Sequence, residues 1–206
     1  MLRLLVGLVD KSMLEVTRQS GEISYRMLTT IQHYAQMKLA SQPNARSIVT
    51  AHSNWATALA EAANIALYAG GSREWLGRIQ RARDDIEVVL ERSREQGSPE
   101  IGMRLLAALQ AFLVESGDHR GFLSARALRE ESSWVERLLD AGKVPDDVLD
   151  SVLSAQGFLL VLQNNLTEAI PILERCLDLC AAAADDEGSA KAKLFLATAM
   201  WSNDDD

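Results

Sequence analysis

The sequence predicts a mainly α-helical chain, an array of helical hairpins preceded by one small β-hairpin. Three observations predict this. Apolar residues recur at helical spacing through residues 46–201, in runs broken by short segments carrying Gly, Pro or Asn. Alternation of apolar and polar residues, the mark of a half-buried strand, is convincing only within residues 12–28. The helical runs are short and their connections shorter, which is how helices paired as hairpins read in sequence.

The elements run in this order. Leu4, Leu5, Leu8 and Val9 form an apolar helical patch, ended by Asp10, Lys11 and Ser12. Met13, Leu14, Glu15 and Val16 read as a short strand, residues 17–22 as a polar hairpin loop, and Ile23 to Met27 as the returning strand. A helix over 28–40 is spaced by Leu28, Ile31, Tyr34, Met37 and Leu39, and Ser41 to Asn44 is a linker. An alanine-rich helix over 46–69 stops at Gly70-Gly71. Ser72 then caps a helix carrying Trp75, Ile79, Ala82, Ile86, Val89 and Leu90 at helical spacing, ended by Gly97. Ser98 and Pro99 open the next, over 100–115, with cap and first-turn proline in their favoured places. It buries Ile101, Leu105, Leu106, Leu109, Phe112 and Leu113. A turn at Ser116 to Asp118, an extension to Ala127, and a helix around 123–140 with Trp134 lead to a break between Gly142 and Pro145. Helices over 146–163, 166–182 and 188–201 and an acidic tail complete the chain.

Composition narrows the function classes. In 206 residues, 48% are apolar and 24% charged, enough for a substantial core. The formal net charge of −8 argues against nucleic acid as main ligand, since phosphate binding needs clustered Lys and Arg. No apolar run approaches the ~20 residues that span a bilayer. No small-residue cleavage site follows the apolar start, so it does not read as a signal peptide. With only Cys176 and Cys180, a disulfide scaffold is excluded and a cytoplasmic chain is expected.

Residues 150–180, DSVLSAQGFLLVLQNNLTEAIPILERCLDLC, carry a helix pair in detail. Gly157 stands where a tight helix crossing leaves no room for a side chain. Asn164-Asn165 form a turn tolerant of left-handed backbone. Ala169 and Cys176 are small residues on one face with Leu173 between them, and Asn165 with Glu168 reads as a capping pair. This resembles a tetratricopeptide repeat. The segment ending AKLFLATAMWSNDDD resembles the first helix of another unit, with Ala197 in the small-residue position and a longer loop before it.

A second resemblance spans most of the chain. Leu8-Val9-Asp10-Lys11-Ser12, then Arg26-Met27-Leu28-Thr29-Thr30-Ile31-Gln32-His33-Tyr34-Ala35, resemble the end of the winged helix in bacterial NB-ARC/STAND-type ATPase regulators, including LuxR-type and SARP-like ones. Thr29 stands where Glu is usual and Gln32 where Arg is usual. Glu74-Trp75-Leu76-Gly77-Arg78-Ile79, with Asp84-Asp85-Ile86 and Leu90, is similar to the helix opening that family's tetratricopeptide-like region, and Trp134 to Leu139 to a later element. The resemblance implies a partial winged helix over 1–42 and a helical-repeat region over 43–206, together a piece of a larger regulator. It implies a non-enzymatic protein-interaction and signal-sensing role, with the regulator's own ATPase core as partner and repeats that restrain that core. The sequence lacks the G-x-x-x-x-G-K-[ST] loop that cradles phosphates, since its one Gly-Lys, Gly142-Lys143, is followed by Val144. A free-standing adaptor binding a peptide or helix in a concave groove is the alternative, and an undetected enzyme would need a deep polar pocket with perturbed titratable groups.

The chemistry-bearing residues read mostly as structure. Cys176 and Cys180 lie four apart on one helical face, but two ligands without a third make no metal site, so they read as small core residues. No cofactor or metal is expected. His33, His52 and His119 have no catalytic spacing. Asp84 and Asp85 read as solvated surface or a helix-packing hydrogen bond. Trp201 is the tryptophan expected to be exposed, and Leu4, Leu5, Leu8, Phe195 and Trp201 are expected to leave apolar faces for self-association. The candidate partner groove lies on the helix over 146–163, at Ser151, Ser154, Phe158, Val161 and Leu162; the alternative is that Phe158 and Leu162 pack against the neighbouring helix pair or a further repeat.

Overall fold

The computed structural model of the chain describes residues 2–19, 22–70, 73–95, 99–116, 125–140, 144 and 148–204. It is mainly helical, with one two-stranded sheet. Two compact units, 1–51 and 52–206, divide within a helix rather than at the 41–44 linker.

In the first unit, helix α1 (Leu2–Asp10) leads into strands β1 (Leu14–Gln19) and β2 (Glu22–Met27), followed by α2 (Thr29–Ala40). The strands pair antiparallel in a register running from Leu14↔Met27 to Gln19↔Glu22. They are longer than expected. The polar residues 17–19 and 22 belong to the ladder rather than to a loop, because exposed strand positions accept Thr and Arg as readily as a turn does. Ser20 and Gly21 lie outside the described residues. The apolar stripe of α2 is open: Tyr34 is 56% and Met37 68% exposed.

Helix α3 (Ala45–Tyr68) carries an inward stripe of Ala56, Ala60, Ala63 and Leu67, spaced by three and four as a packed helix requires. The single helix expected over the next stretch is two, α4 (Arg73–Arg81) and α5 (Arg83–Glu95). At Ala82 the backbone N–H is shared between the carbonyls of Arg78 and Ile79, which tightens the turn and separates α4 from α5. Leu109 does the same between α6 (Pro99–Ala108) and α7 (Gln110–Ser116). Helix α8 (Ala125–Asp140) buries Trp134 over Gly102 of α6, where an added Cβ would stand 2.6 Å from the indole. The expected caps Ser72 and Ser98, the turn residues Gly117 and Asp118, and Gly142 to Pro145 except Val144 lie outside the described residues.

The chain closes with α9 (Leu149–Leu162), α10 (Leu166–Ala182) and α11 (Asp186–Asp204), which all pack on one another. Gly157 of α9 meets Leu173 of α10 as expected: a Cβ there would overlap Leu173 Cδ2 and lie 2.5 Å from its Cγ. Ala169 and Leu173 are fully buried and Cys176 nearly so.

The two connections share one geometry. In 163–165 and again in 183–185 the middle residue is left-handed, Asn164 at φ 59° and Ala184 at φ 54°. The third residue's N–H reaches back to the carbonyl five residues earlier, Asn165 to Leu160 and Asp185 to Cys180, each at 2.9 Å. The second connection is therefore no longer than the first; the extra residues are helical and lengthen α10.

This geometry overturns the expected Asn165–Glu168 capping pair, because Asn165 makes no side-chain capping bond. Its N–H, which a capping-box glutamate would have to accept, already donates to Leu160. Nor does Ala197 take the small-residue position: it is exposed, and Ala192 and Ala199 are the fully buried small residues of α11.

Ala184 is exposed and carries a steric penalty for its left-handed backbone that glycine would not. Ala184→Gly should therefore stabilise the chain by about 0.5–1 kcal/mol, read as a higher urea midpoint at unchanged slope. An unchanged or lower midpoint would show that the turn holds no such strain.

Candidate functional site: a polar cavity beside two cysteines

A cavity of about 390 Å³ opens among α3, α6, α9, α10 and the start of α11, all within the second unit. Two ion pairs lie on its walls. Arg104 of α6 donates to Glu61 of α3 through Nη2 at 3.1 Å and Nε at 3.3 Å. Lys191 pairs with Glu187 one turn earlier in α11, and its ammonium also lies 4.4 Å from the ring centroid of Tyr68. Burial pushes the Tyr68 phenol up to about 12, helped by Glu187 and Glu115, so it stays a neutral face for that ammonium. Deeper in, the Gln110 amide donates to Ser154 Oγ at 3.2 Å, and both residues are buried.

The cysteines form one wall. Cys176 Sγ donates to the Asp150 carbonyl at 3.2 Å, tying α10 to the first turn of α9. Cys180, one helical turn on, shares a small neighbourhood with two carboxylates: donor atoms of Asp150, Cys180 and Asp185 all lie within 4.8 Å of one another. Asp185 ends the second connection and caps α11, its Oδ1 accepting the Gly188 N–H at 3.1 Å. Gly188 is the residue that lets this cluster close. A Cβ there would overlap Asp185 Oδ2 and come within 2.7 Å of Cys180 Sγ. Burial pushes the Cys176 thiol up to about 12, with Cys180, Asp150 and Asp185 acting in the same direction. Cys180 is raised as well, by burial first, while its hydrogen bond with Cys176 works the other way. Both thiols are thus held protonated, the reverse of what a nucleophilic cysteine needs.

The residues of the expected groove are placed differently. Ser151 is exposed and lines the cavity, and Ser154 lines it from a buried position. Phe158 is only 6% exposed and packs on Phe195 of α11, ring centroids 4.6 Å apart, while Val161 and Leu162 pack partly buried against the main core. Phe158 is therefore covered by the chain itself, and Val161 and Leu162 are covered in part. Phe195 is consequently buried, contrary to its expected exposure, whereas Leu4 at 73% and Trp201 at 75% are open. Compared with family models, curated proteins and solved structures, the chain matches none.

Of the other residues singled out, Asp85 does enter a helix-packing hydrogen bond. His52 Nε2 lies 2.8 Å from Asp85 Oδ1, and Arg92 donates to His52 Nδ1 at 3.3 Å. Because Nδ1 accepts, Nε2 is the protonated nitrogen of the neutral ring, and the chain Arg92–His52–Asp85 ties α3 to α5. His119 lies outside the described residues. Asp150 and Asp185, the carboxylates that complete the cysteine cluster, escape sequence reading because they come from positions 30 and 5 residues from Cys180 and meet it only through packing. One signal was present: Asp185 occupies in the second connection the cap position that Asn165 holds in the first.

Proposed function

We propose that the chain is a non-enzymatic, cytoplasmic protein-interaction and signal-sensing segment, built as a tetratricopeptide-like array and belonging to a STAND-type ATPase transcriptional regulator. The repeated connection carries the structural half of this reading. Two three-residue turns with the same left-handed centre and the same long-range N–H bond join three mutually packed helices, as successive units of a helical repeat require. The helix–hairpin–helix order of α1, β1, β2 and α2 supports the winged-helix part, because it is the order in which the resembling motifs run. Among the described residues no helix is long and apolar enough to cross a membrane.

In this role the repeats restrain the regulator's ATPase core until a signal alters the contact. Co-expression with the ATPase region of its parent regulator should yield a complex that survives gel filtration. Failure to associate, together with a gene neighbourhood lacking any G-x-x-x-x-G-K-[ST] loop, would overturn the regulator reading in favour of a free-standing adaptor. One surface favours that second reading. Ile65 of α3 and Leu194 of α11, 72% and 51% exposed, line one apolar depression with Ala69 and Ala190.

A further inference from the structure

Cys176 and Cys180, a ligand pair lacking a third member in sequence, acquire that member in the folded chain. We propose that Asp150, Cys180 and Asp185, with Cys176 as fourth donor one turn away, form a binding site for a thiophilic divalent cation of the zinc class.

The geometry is close to what such an ion needs. Tetrahedral zinc with bonds of ~2.0–2.3 Å sets its donor atoms about 3.5 Å apart. Here three donors stand within 4.8 Å of one another without an ion, so shifts of about 1 Å close the site. The donors come from α9, α10 and the cap of α11, so the convergence is a product of the fold. Asp185 is already oriented: Oδ1 is fixed by the Gly188 N–H, and Oδ2 lies on the side of Cys180.

The electrostatics point the same way. Among the described residues neither Asp150 nor Asp185 has a cationic partner. The cations on the cavity wall, Arg104 and Lys191, are engaged by Glu61 and Glu187. Two half-buried carboxylates around a thiol repel one another, and a divalent cation converts that repulsion into attraction. The cavity supplies access, and its wall holds a further buried acceptor, Asn64 Oδ1, that has no hydrogen-bond partner among the described residues. Mixed sulfur and oxygen donors select zinc over magnesium or calcium, which take oxygen alone. Binding releases the two thiol protons to solvent as both sulfurs become thiolates, and Cys176 gives up its bond to the Asp150 carbonyl.

The test uses the full chain, reduced and chelator-treated, titrated with Zn²⁺, Co²⁺ and Mg²⁺. One Zn²⁺ per chain, a near-ultraviolet thiolate-to-cobalt charge-transfer band and release of protons on binding are expected, with no response to Mg²⁺. Asp185→Asn keeps an N-cap acceptor for α11, and Cys180→Ala leaves a small apolar residue in the core, so both should fold with unchanged helix content. Each should weaken Zn²⁺ binding at least tenfold. Wild-type affinity in either variant, a cobalt spectrum without the charge-transfer band, or no stoichiometric Zn²⁺ uptake by the wild type would overturn the site.

Discussion

Gly157→Ala should destabilise the second unit by about 2–4 kcal/mol, at or above the usual cost of overpacking a close-packed core. The reason is where the new methyl would go. It would overlap Leu173 Cδ2 and stand 2.5 Å from Cγ, so rotation of a flexible tip cannot relieve it. Leu173 is fully buried, between Ala169 and Cys176, and has nowhere to retreat. For a chain of this size such a loss corresponds to a fall of roughly 4–16 °C in Tm. Two companions isolate the cause. Gly77→Ala, where the nearest atom is Arg81 Nη1 at 3.3 Å, should instead gain up to about 1 kcal/mol from helix propensity. Gly157→Ala with Leu173→Val should recover part of the loss, a coupling visible only if the two side chains collide. A Gly157→Ala variant as stable as wild type would show that α9 and α10 cross with room for a methyl group between them.

The second large effect is a pH dependence centred on Glu131. This residue of α8 is 2% exposed, and burial pushes its carboxyl from 4.5 up to about 7, with Arg94 opposing and Glu130 adding to the rise. Arg94 cannot serve both glutamates equally. Its Nη1 donates to Glu130 Oε2 at 2.9 Å, leaving Glu131 an ion contact at 3.4 Å and a buried Oε2 with no hydrogen-bond partner among the described residues. Proton counting gives the sign. Between pH 4.5 and about 7 the folded chain holds a proton on Glu131 that the unfolded chain has lost, so stability falls as pH rises through that window. The whole effect is worth roughly 3 kcal/mol. Glu131→Gln should match wild type near pH 5 and exceed it near pH 8, by roughly 1–3 kcal/mol, in urea unfolding. A glutamine variant less stable than wild type at pH 8 would mean that the charged carboxylate, paired with Arg94, is net stabilising.

The helical frame was largely legible because apolar spacing reports which face turns inward. Leu105, Leu109, Phe112 and Leu113 are buried where the spacing put them, and Trp134 is buried while Trp201 is open. The same method failed at α9, where Val152 through Leu160 are all buried and no stripe distinguishes a groove face from a packing face. Phe158 read either as a groove residue or as one packed on the neighbouring pair, because nothing in the sequence shows Phe195 arriving over it. The breaks at Ala82 and Leu109 carry no glycine or proline and arise from shared backbone bonds, so composition could not mark them. The cysteine cluster was half legible. The i, i+4 spacing put both sulfurs on one face, but Asp150 and Asp185 reach them through tertiary packing.

The burial of α9 has a further consequence for how the molecule comes apart. α6, α8, α10 and α11 each pack against it, so its central stretch, Val152 to Leu160, has no face open to water. The amide protons of that central stretch therefore have no local route to solvent. They exchange only when the neighbouring helices release together, which makes α9 the slowest reporter in the second unit and the one whose protection reads that unit's whole folding free energy.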